Sequence, residues 1–268
     1  MSASGTGQDA AAGTTVIAIR GLGLAYERAG ETTQVLAGLD LTVERGEFLA
    51  IVGESGVGKS TLLRVLIGLA EPSAGTVAIA ATERPVETRR LAPTALVFQD
   101  SRLLPWRRVL SNVGFGLEWS GVGRAERRRR AQAMLDLVGL RDLGGRWPHQ
   151  LSGGQRQRVS LARALAVEPD VLLMDEPFSA LDSFTRESLQ DELLRIRAAT
   201  GRTVIFVTHD IEEAVYLADR VIVLTGRPAG IGAEIRVEAS VPRRRRDPAL
   251  AETARLLRAE LSQRSAEL

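Results

Sequence analysis

The segment from Gly53 to Ser60, GESGVGKS, combines residue types that could bind a phosphate ester. Glycines let the backbone approach an anion closely, and the N–H groups that begin a helix point toward it. Lys59 could contact the terminal phosphates, and the Ser60 hydroxyl could coordinate Mg²⁺. The segment follows the apolar run FLAIV, which is the context this motif requires. A glycine-rich turn that matches by accident is the alternative.

Two adjacent carboxylates, Asp175 and Glu176, follow a second apolar run, VLLM (171–174). A buried strand cannot hold unpaired charge, so we expect both side chains to emerge at its carboxyl end, beside a phosphate-binding loop. Asp175 could hold Mg²⁺ in an outer-sphere position, and Glu176 could orient and polarise an attacking water. If the segment stood alone, two solvated acids at the start of a turn before Pro177 would be the favoured explanation.

A third segment, LSGGQRQRVSLARAL (151–165), predicts a helix with an exposed N-terminus. Ser152 and Gln155 have capping-box spacing, so Ser152 should cap the helix. Gly153 and Gly154 would leave backbone N–H groups bare at that end, which makes a second anion site. Lys59 is the single lysine of the chain, so two anion-binding helix ends suggest that one nucleotide is bound from two sides. An ordinary capped amphipathic helix is the alternative.

His209 directly follows the apolar run TVIFVT (203–208). A lone histidine is more often packed or solvated than catalytic, but the carboxyl end of a strand is where catalytic groups gather in parallel sheets. Asp210 and Glu213 form a further pair with capping spacing. The other histidine, His149 in RWPHQ, is assigned a structural role.

Predicted strands and helices alternate along the chain. Short apolar runs predict strands at 16–20, 40–44, 48–52, 76–80, 171–174, 203–208 and 220–224. Helices are predicted over 59–69, over much of 105–165 and over the last twenty residues. Strands that alternate with helices indicate an α/β fold with a parallel sheet covered on both faces. Residues 1–14 are predicted to be a flexible tail.

The composition excludes several classes of protein. The 268 residues are 44% hydrophobic and 25% charged, which excludes disorder for most of the chain. A net charge of +2 argues against a basic nucleic-acid binder. Cysteine is absent, so no disulfide or thiolate metal site is possible. We expect neither a secretory signal nor a membrane-spanning run, and therefore a cytosolic globular protein.

Taken in order, these motifs resemble those of the nucleotide-binding subunit of an ABC transporter over residues 16–245. The matching segments are GESGVGKS, VFQD with Gln99, LSGGQ, LLMDEP, SALD with Asp182, and VTHD. The resemblance implies a P-loop NTPase (RecA-like) core with a parallel sheet, an N-terminal antiparallel β subdomain and an inserted α-helical signature subdomain. It implies an ATPase domain at 15–245, with the helical insertion at about 100–165, and a C-terminal helical extension at 246–268.

The resemblance also implies a role for each site residue. Tyr26 would stack on adenine, and Gln99 would touch Mg²⁺ or the attacking water. The residues assigned to ATP are Tyr26, Gly53, Glu54, Ser55, Gly56, Val57, Gly58, Lys59, Ser60, Thr61, Ser152, Gly153, Gly154, Gln155 and Asp182. Those assigned to Mg²⁺ are Ser60, Gln99 and Asp175, and those assigned to hydrolysis are Glu176, His209, Lys59 and Gln99.

The partners are likewise implied by the resemblance. Two copies would pack head to tail, so that each ATP lies between Lys59 of one copy and Ser152 of the other. Transmembrane permease subunits would dock beside the glutamine loop, a periplasmic-type solute-binding protein would act indirectly, and nucleic acid would have no part. The chain would lie peripherally on the cytoplasmic face of the membrane. Residues 103–106, LLPW, are predicted to contact the permease; the alternative is that Trp106 packs inside the helical subdomain.

Within the family, residues 98–118 are similar to importers of nitrate, sulfonates and taurine. RWPHQLSGGQ and VPRRRRDPAL are most similar to the aliphatic-sulfonate importers. Nitrate and taurine remain open as solutes, and a soluble ABC ATPase, an exporter ATPase and a small-molecule kinase are more distant alternatives. The arginine runs at 127–130 and 243–246 are predicted to be solvated faces, and the second could instead meet anionic lipid headgroups.

Overall fold

A computed structural model of the protein describes residues 15–28, 30–79, 94–239 and 242–265. The strands are β1 (Thr15–Arg28), β2 (Glu31–Glu44), β3 (Phe48–Gly53), β4 (Ala74–Ile79), β5 (Thr94–Val97), β6 (Val171–Asp175), β7 (Thr203–Val207), β8 (Arg220–Thr225) and β9 (Gly230–Arg236). The helices are α1 (Lys59–Leu66), α2 (Val109–Val113), α3 (Arg124–Leu137), α4 (Gly153–Ala166), α5 (Ser183–Thr200), α6 (Ile211–Leu217) and α7 (Pro248–Ser265). The predicted tail at 1–14 lies outside the described residues.

The main sheet has six strands in the order β5-β6-β7-β3-β8-β9. The first five are parallel, and β9 pairs antiparallel with β8. Because β3 is central and β6 and β7 are neighbours, the segments that follow these three strands reach the same edge of the sheet. The predicted parallel sheet is confirmed, with one antiparallel strand added at its border.

Both faces of this sheet are covered, one by helices and the other by α1 together with strands β1 and β2, and the burial of β3 shows both. Phe48, Ala50 and Val52 belong to the hydrophobic core on one face, while Leu49 and Ile51 belong to the core on the other. All five side chains are fully buried. Successive residues of a strand point to opposite faces, so a strand buried on both faces becomes a continuous apolar run rather than an alternating one. This is why FLAIV could be identified from the sequence.

A smaller sheet, ordered β2-β1-β4, is antiparallel throughout and confirms the expected N-terminal β subdomain. Strands β1 and β2 form a long hairpin whose paired positions run from Thr15 opposite Glu44 to Arg28 opposite Glu31. The apolar runs at 16–20 and 40–44 are only parts of these two 14-residue strands. The hairpin carries Tyr26 opposite Thr33.

Helices α2, α3 and α4 lie between β5 and β6 in the chain and pack against one another. Their contact is apolar: Val113, Leu135 and Val159 are fully buried. Helix α4 also packs against β5, which joins this helical part to the main sheet. The inserted helical subdomain is thereby confirmed as a structural feature, while the exact domain boundaries stay a prediction.

The prediction that residues 243–246 form a solvated or lipid-facing run is wrong for Arg243, whereas Arg244, Arg245 and Arg246 are exposed. The Arg243 side chain is only 4% exposed and lies 3.5 Å from the Asp219 carboxylate. Arg245 pairs with Asp191 at 2.7 Å. Acidic side chains from distant parts of the chain neutralise these arginines, and such pairing cannot be read from a local run of one residue type.

In the run at 127–130, Arg128 and Arg129 are exposed as predicted, while Arg127 and Arg130 are half-buried. Glu126 accepts hydrogen bonds from Arg129 and Arg130 on the outer face of α3. Helix α1 ends at Leu66 rather than at residue 69, because Gly68 takes a left-handed conformation with φ 76°. None of the helices in the described ranges is long and apolar enough to cross a membrane.

Candidate nucleotide-binding site

The loop between β3 and α1 forms the centre of the site. Its tip, residues 54–56, is exposed, whereas Val57, Gly58 and Lys59 are buried. Gly58 is the N-cap of α1 and has φ 115°, a conformation that only glycine adopts at low cost. The turn therefore directs the first N–H groups of α1 toward the carboxyl edge of the sheet, where a phosphate could accept hydrogen bonds from them.

The Lys59 ammonium lies folded against this loop. Its Nζ donates hydrogen bonds of 2.8 Å to the carbonyl oxygens of Gly53 and Glu54. Burial lowers the pKa of Lys59, and the negative charges of Glu176 and Asp175 only partly offset that effect. A further negative charge at the loop would favour the protonated amine, so the site is electrostatically suited to a phosphate.

Ser60 connects the phosphate loop to the carboxylate strand. Its Oγ donates a 2.9 Å hydrogen bond to Asp175 Oδ1, although 115 residues separate the two in the chain. Burial raises the pKa of Asp175, the Glu176 charge adds to the rise, and the Ser60 hydrogen bond opposes it. The geometry thus brings together two residues that the sequence motifs assign to one Mg²⁺ site.

The Ser60–Asp175 pair is chemically suited to Mg²⁺. A hydroxyl and a carboxylate oxygen are the ligand types that Mg²⁺ prefers, and this ion usually takes one or two protein ligands and completes its shell with phosphates and water. Within the described ranges, no group of three or more acidic or histidine side chains could hold a metal by itself. Ser60 and Asp175 therefore fit an ion that arrives with a phosphate. Gln99 is exposed just beyond β5.

Glu176 and His209 meet at the ends of the neighbouring strands β6 and β7. The distance from His209 Nδ1 to Glu176 Oε2 is 2.9 Å. Glu176 has φ 45°, in the left-handed region that a residue with a side chain rarely adopts, and its N–H donates to Val207 O at 2.9 Å. Backbone strain of this kind persists where the surroundings impose it, and it is concentrated at functional sites.

The N-terminus of α4 has the predicted capping box. Ser152 Oγ accepts a 3.3 Å hydrogen bond from Gln155 N, and Gln155 Oε1 accepts one of 3.0 Å from Ser152 N. Ser152 and Gly153 are exposed. Gly154 lies against α5, where a Cβ would come within 2.6 Å of Thr185 Cγ2. The bare helix end thus faces outward from the chain.

Two further predicted residues occupy other parts of the surface. Asp182 is the N-cap of α5 and accepts a 3.0 Å hydrogen bond from Thr185 N, which lowers the pKa of its carboxyl. Tyr26 is an exposed aromatic on β1. The structure gives Asp182 a capping role, and the contacts of both residues with ATP stay predictions.

Sequence reasoning missed the residues that hold the loop around Gln99. Gln157 Nε2 donates to Phe98 O at 3.1 Å, and Arg163 Nη2 donates to Ser101 O at 2.8 Å. Both donors belong to α4, so the helix that carries the second anion site also positions the segment around Gln99. The only signal in the sequence was a polar residue among the buried positions of an amphipathic helix, which is too common to be diagnostic.

Comparison with known proteins places this geometry in a family. The family described as "ABC transporter" matches residues 36–179. An aliphatic sulfonates import ATP-binding protein of Rhodococcus jostii (strain RHA1) is 49% identical over 219 residues, which is 82% of this chain and 84% of that protein. A taurine import ATP-binding protein of Pseudomonas savastanoi pv. phaseolicola (strain 1448A / Race 6) is 47% identical over 78% of this chain and 79% of its own length.

Among solved structures, the chain is similar to a dimeric post-hydrolysis state of the ATP-binding cassette MJ0796 bound to ADP and Pi. The two share 33% identity with a TM-score of 0.72, over 84% of this chain and all of that one.

Proposed function

The chain belongs to the ABC transporter family as an ATPase cassette, and from that premise we propose that it powers the import of aliphatic sulfonates. The observation that carries the chemical part of the proposal is the meeting of Lys59, Asp175 and Glu176 at one edge of the sheet. That edge combines a cation for the phosphates, an oxygen pair suited to Mg²⁺ and a carboxylate suited to hold water.

The phosphate loop would bind the triphosphate of ATP. On binding, the Lys59 ammonium would exchange its two loop carbonyls for phosphate oxygens, which are stronger acceptors because they are charged. Ser60 and Asp175 would hold Mg²⁺, and Gln99 would approach it from the end of β5. When bound, Mg²⁺ would neutralise charge that develops on the transferred phosphoryl group.

Glu176 would orient the water that attacks the γ-phosphate. Its contact with His209 supports this role, because the histidine holds one carboxylate oxygen and a carboxylate has a second oxygen that can accept a hydrogen bond from water. His209 would act as the residue that positions Glu176 and senses the γ-phosphate. The strained backbone at Glu176 would serve to aim the side chain out of the sheet edge, toward the water.

A complete site would need a second copy of the chain. The outward-facing N-terminus of α4, with exposed Ser152 and Gly153, is available to another molecule. In a head-to-tail dimer it would meet the triphosphate held by Lys59 of the partner, and Tyr26 would stack on the adenine. The dimeric state of the similar MJ0796 cassette supports this arrangement.

Transport would be coupled through the surface beside Gln99. Trp106 has a side chain that is 71% exposed, so the alternative in which it packs inside the helical part is wrong. A large exposed aromatic near a loop held by α4 is suited to anchor a permease subunit. With the permease, the protein would lie on the cytoplasmic face of the membrane, and a solute-binding protein would deliver the solute to that complex.

The solute is proposed from the named relatives. Sulfonate-import and taurine-import proteins are 49% and 47% identical to this chain, a difference too small to separate them. Both solutes are organic sulfonates, and this shared chemistry supports the proposal more firmly than either name. Taurine import is therefore the second candidate, and nitrate import remains a more distant one.

A growth experiment would distinguish these solutes. A deletion strain should fail to grow on an alkanesulfonate as sole sulfur source and should grow normally on sulfate. The intact gene should restore growth, whereas the Lys59→Ala gene should not. Loss of growth on taurine alone would support the second candidate, and normal growth on both sulfonates, with no other uptake system present, would refute the solute class.

A further inference from the structure

A buried carboxylate lies directly behind the histidine of the site. Glu213, on α6, is only 6% exposed. Its two oxygens accept hydrogen bonds from different elements: Thr208 Oγ1 donates at 2.5 Å and Gln190 Nε2 donates at 2.9 Å. Thr208 and Gln190 are themselves buried. Glu213 thus joins α5 to the residue that precedes His209.

Arg245, from the segment that follows β9, determines how Gln190 is oriented. Its Nη1 lies 2.7 Å from the Gln190 side-chain oxygen. A guanidinium only donates hydrogen bonds, so the oxygen of the Gln190 amide must face Arg245 and the nitrogen must face Glu213. If Arg245 were absent, the amide could turn over and place its oxygen against the carboxylate.

Several contacts hold the Arg245 side chain in place. Its guanidinium carbon lies 4.0 Å from the centre of the Tyr216 ring, and its Nη2 donates to Asp191 Oδ1 at 2.7 Å. Tyr216 donates to the same Asp191 oxygen at 2.7 Å. A fork of donors stacked on an aromatic ring is a geometry that lysine cannot reproduce. Arg245 is exposed, but these contacts hold its side chain in one orientation.

The backbone around His209 depends on Thr208. The Thr208 hydroxyl donates to Glu213 and accepts a 3.0 Å hydrogen bond from Asp210 N, so it connects the residues on both sides of His209. The His209 side chain is 61% exposed. Packing around the imidazole is therefore slight, and its orientation toward Glu176 must come mainly from the backbone that presents it.

We propose that Arg245, Gln190 and Glu213 are positioning residues for ATP hydrolysis. They form a relay from the C-terminal segment to Thr208, and Thr208 fixes the backbone that presents His209 to Glu176. The inference rests on the proposed role of His209. It assigns the C-terminal arginine run a part in catalysis, through the orientation of one amide, although no residue of the run reaches the nucleotide site.

The test compares two neighbouring arginines in the full-length protein. Arg245→Met removes the donors but keeps an apolar chain that can cover Tyr216. Arg246→Met is the matched control, because the Arg246 side chain is exposed and makes no hydrogen bond or ion pair that the structure records among the described residues. Steady-state ATPase assays would give kcat and KM for each. We expect Arg245→Met to lower kcat about threefold or more with KM for ATP unchanged, and Arg246→Met to change neither.

A double-mutant cycle would then establish the route of the effect. In a His209→Ala background, measured by single-turnover hydrolysis, Arg245→Met should cause no further loss, because the residue it positions is gone. An equal loss in both backgrounds, or an unchanged kcat for Arg245→Met, would overturn the relay. Full activity of His209→Ala alone would instead refute the proposed role of the histidine. If Arg245→Met did not fold, Gln190→Met would interrupt the same relay and replace it in the cycle.

Discussion

The imidazole of His209 lies 2.9 Å from the carboxylate of Glu176, across 33 residues of sequence. The two strands that deliver these residues are adjacent and parallel, and the strand ends bring the side chains together without any further loop. The contact leaves one carboxylate oxygen of Glu176 to accept a hydrogen bond from water. The two residues would therefore have separate roles: Glu176 would orient the water, and His209 would hold Glu176 in position.

Replacement of Glu176 by glutamine should block hydrolysis and preserve ATP binding. The amide keeps the size of the side chain but cannot act as a base, and general-base catalysis typically contributes about 10²–10⁴ in rate. Since the phosphate contacts remain, a dimer that needs ATP should accumulate. Size-exclusion chromatography with and without ATP would detect it, and normal turnover by this variant would contradict the assignment.

Lys59→Ala should instead weaken the binding of ATP. It removes a charged donor from the phosphate loop, so ATP affinity should fall, by about tenfold or more for a charge-assisted contact. No ATP-dependent dimer should then appear at nucleotide concentrations that saturate the wild type. Equilibrium binding of a fluorescent ATP analogue would measure the change. Unaltered affinity would show that the ammonium stays bound to the loop carbonyls.

Trp106→Ala should uncouple transport without damaging the isolated ATPase. The side chain is exposed, so its removal should leave the fold and the basal rate nearly unchanged, while the permease would lose an aromatic anchor. Solute-stimulated hydrolysis in the assembled complex, reconstituted in liposomes, should therefore fall. Trp119→Ala is the matched control, because Trp119 is exposed to a similar degree, 74% against 71%.

Comparison of Trp106→Ala with Trp119→Ala distinguishes a specific permease contact from a general effect of losing a surface aromatic. If both substitutions lowered stimulated hydrolysis equally, loss of a surface aromatic in general would be the cause, and the docking position at residues 103–106 would be wrong. If Trp106→Ala lowered the basal rate of the isolated chain as much as the stimulated rate, the residue would support the site itself instead of the permease contact.

The sheet core and the phosphate-binding edge could be predicted because their signals are local. Strands β3, β6 and β7 are buried on both faces and are therefore continuous apolar runs. The capping box at Ser152 depends on residues three positions apart, and it was confirmed. Motifs that bind phosphate likewise keep their spacing because one loop must surround one anion.

Features that depend on distant partners could not be predicted. The burial of Arg243 requires Asp219, and the orientation of Gln190 requires Arg245, which lies 55 residues away. Strand β9 was missed because its residues are only partly buried and alternate weakly, so pairing with β8 determines its structure. Residues 240–241 and 80–93, which include the end of the predicted strand at 76–80, lie outside the described ranges.

Arg220 offers a test of stability away from the nucleotide site. Its side chain is 9% exposed and donates to Glu47 at 2.6 Å and to Glu234 at 2.9 Å. Arg220→Leu would leave Glu47 without its partner in a largely buried place, which should lower the free energy of unfolding by about 3–5 kcal/mol. Urea denaturation would measure the loss. The double variant Arg220→Leu/Glu47→Leu should recover a large part of it, and an equal or greater loss would show that hydrogen bonding rather than stranded charge dominates.

Stability should also depend on pH through Glu213. Burial raises the pKa of this carboxyl above its ordinary value of 4.5, despite hydrogen bonds from Thr208 and Gln190 that act the other way. Above pH 4.5 the unfolded chain releases this proton before the folded chain does, so the folded state holds more protons and its stability falls as pH rises. The fall ends once the pH has passed the raised pKa of the folded state.

Glu213→Gln should remove this contribution, since an amide does not ionise over that range. The free energy of unfolding of the variant, minus that of the wild type, should therefore be more positive at pH 8 than at pH 4.5. Urea denaturation of both proteins at the two pH values measures the difference, and the other titrating groups cancel in the comparison because the two chains share them. A difference that did not change with pH would mean that the hydrogen bonds from Thr208 and Gln190 fully compensate the burial of the carboxylate.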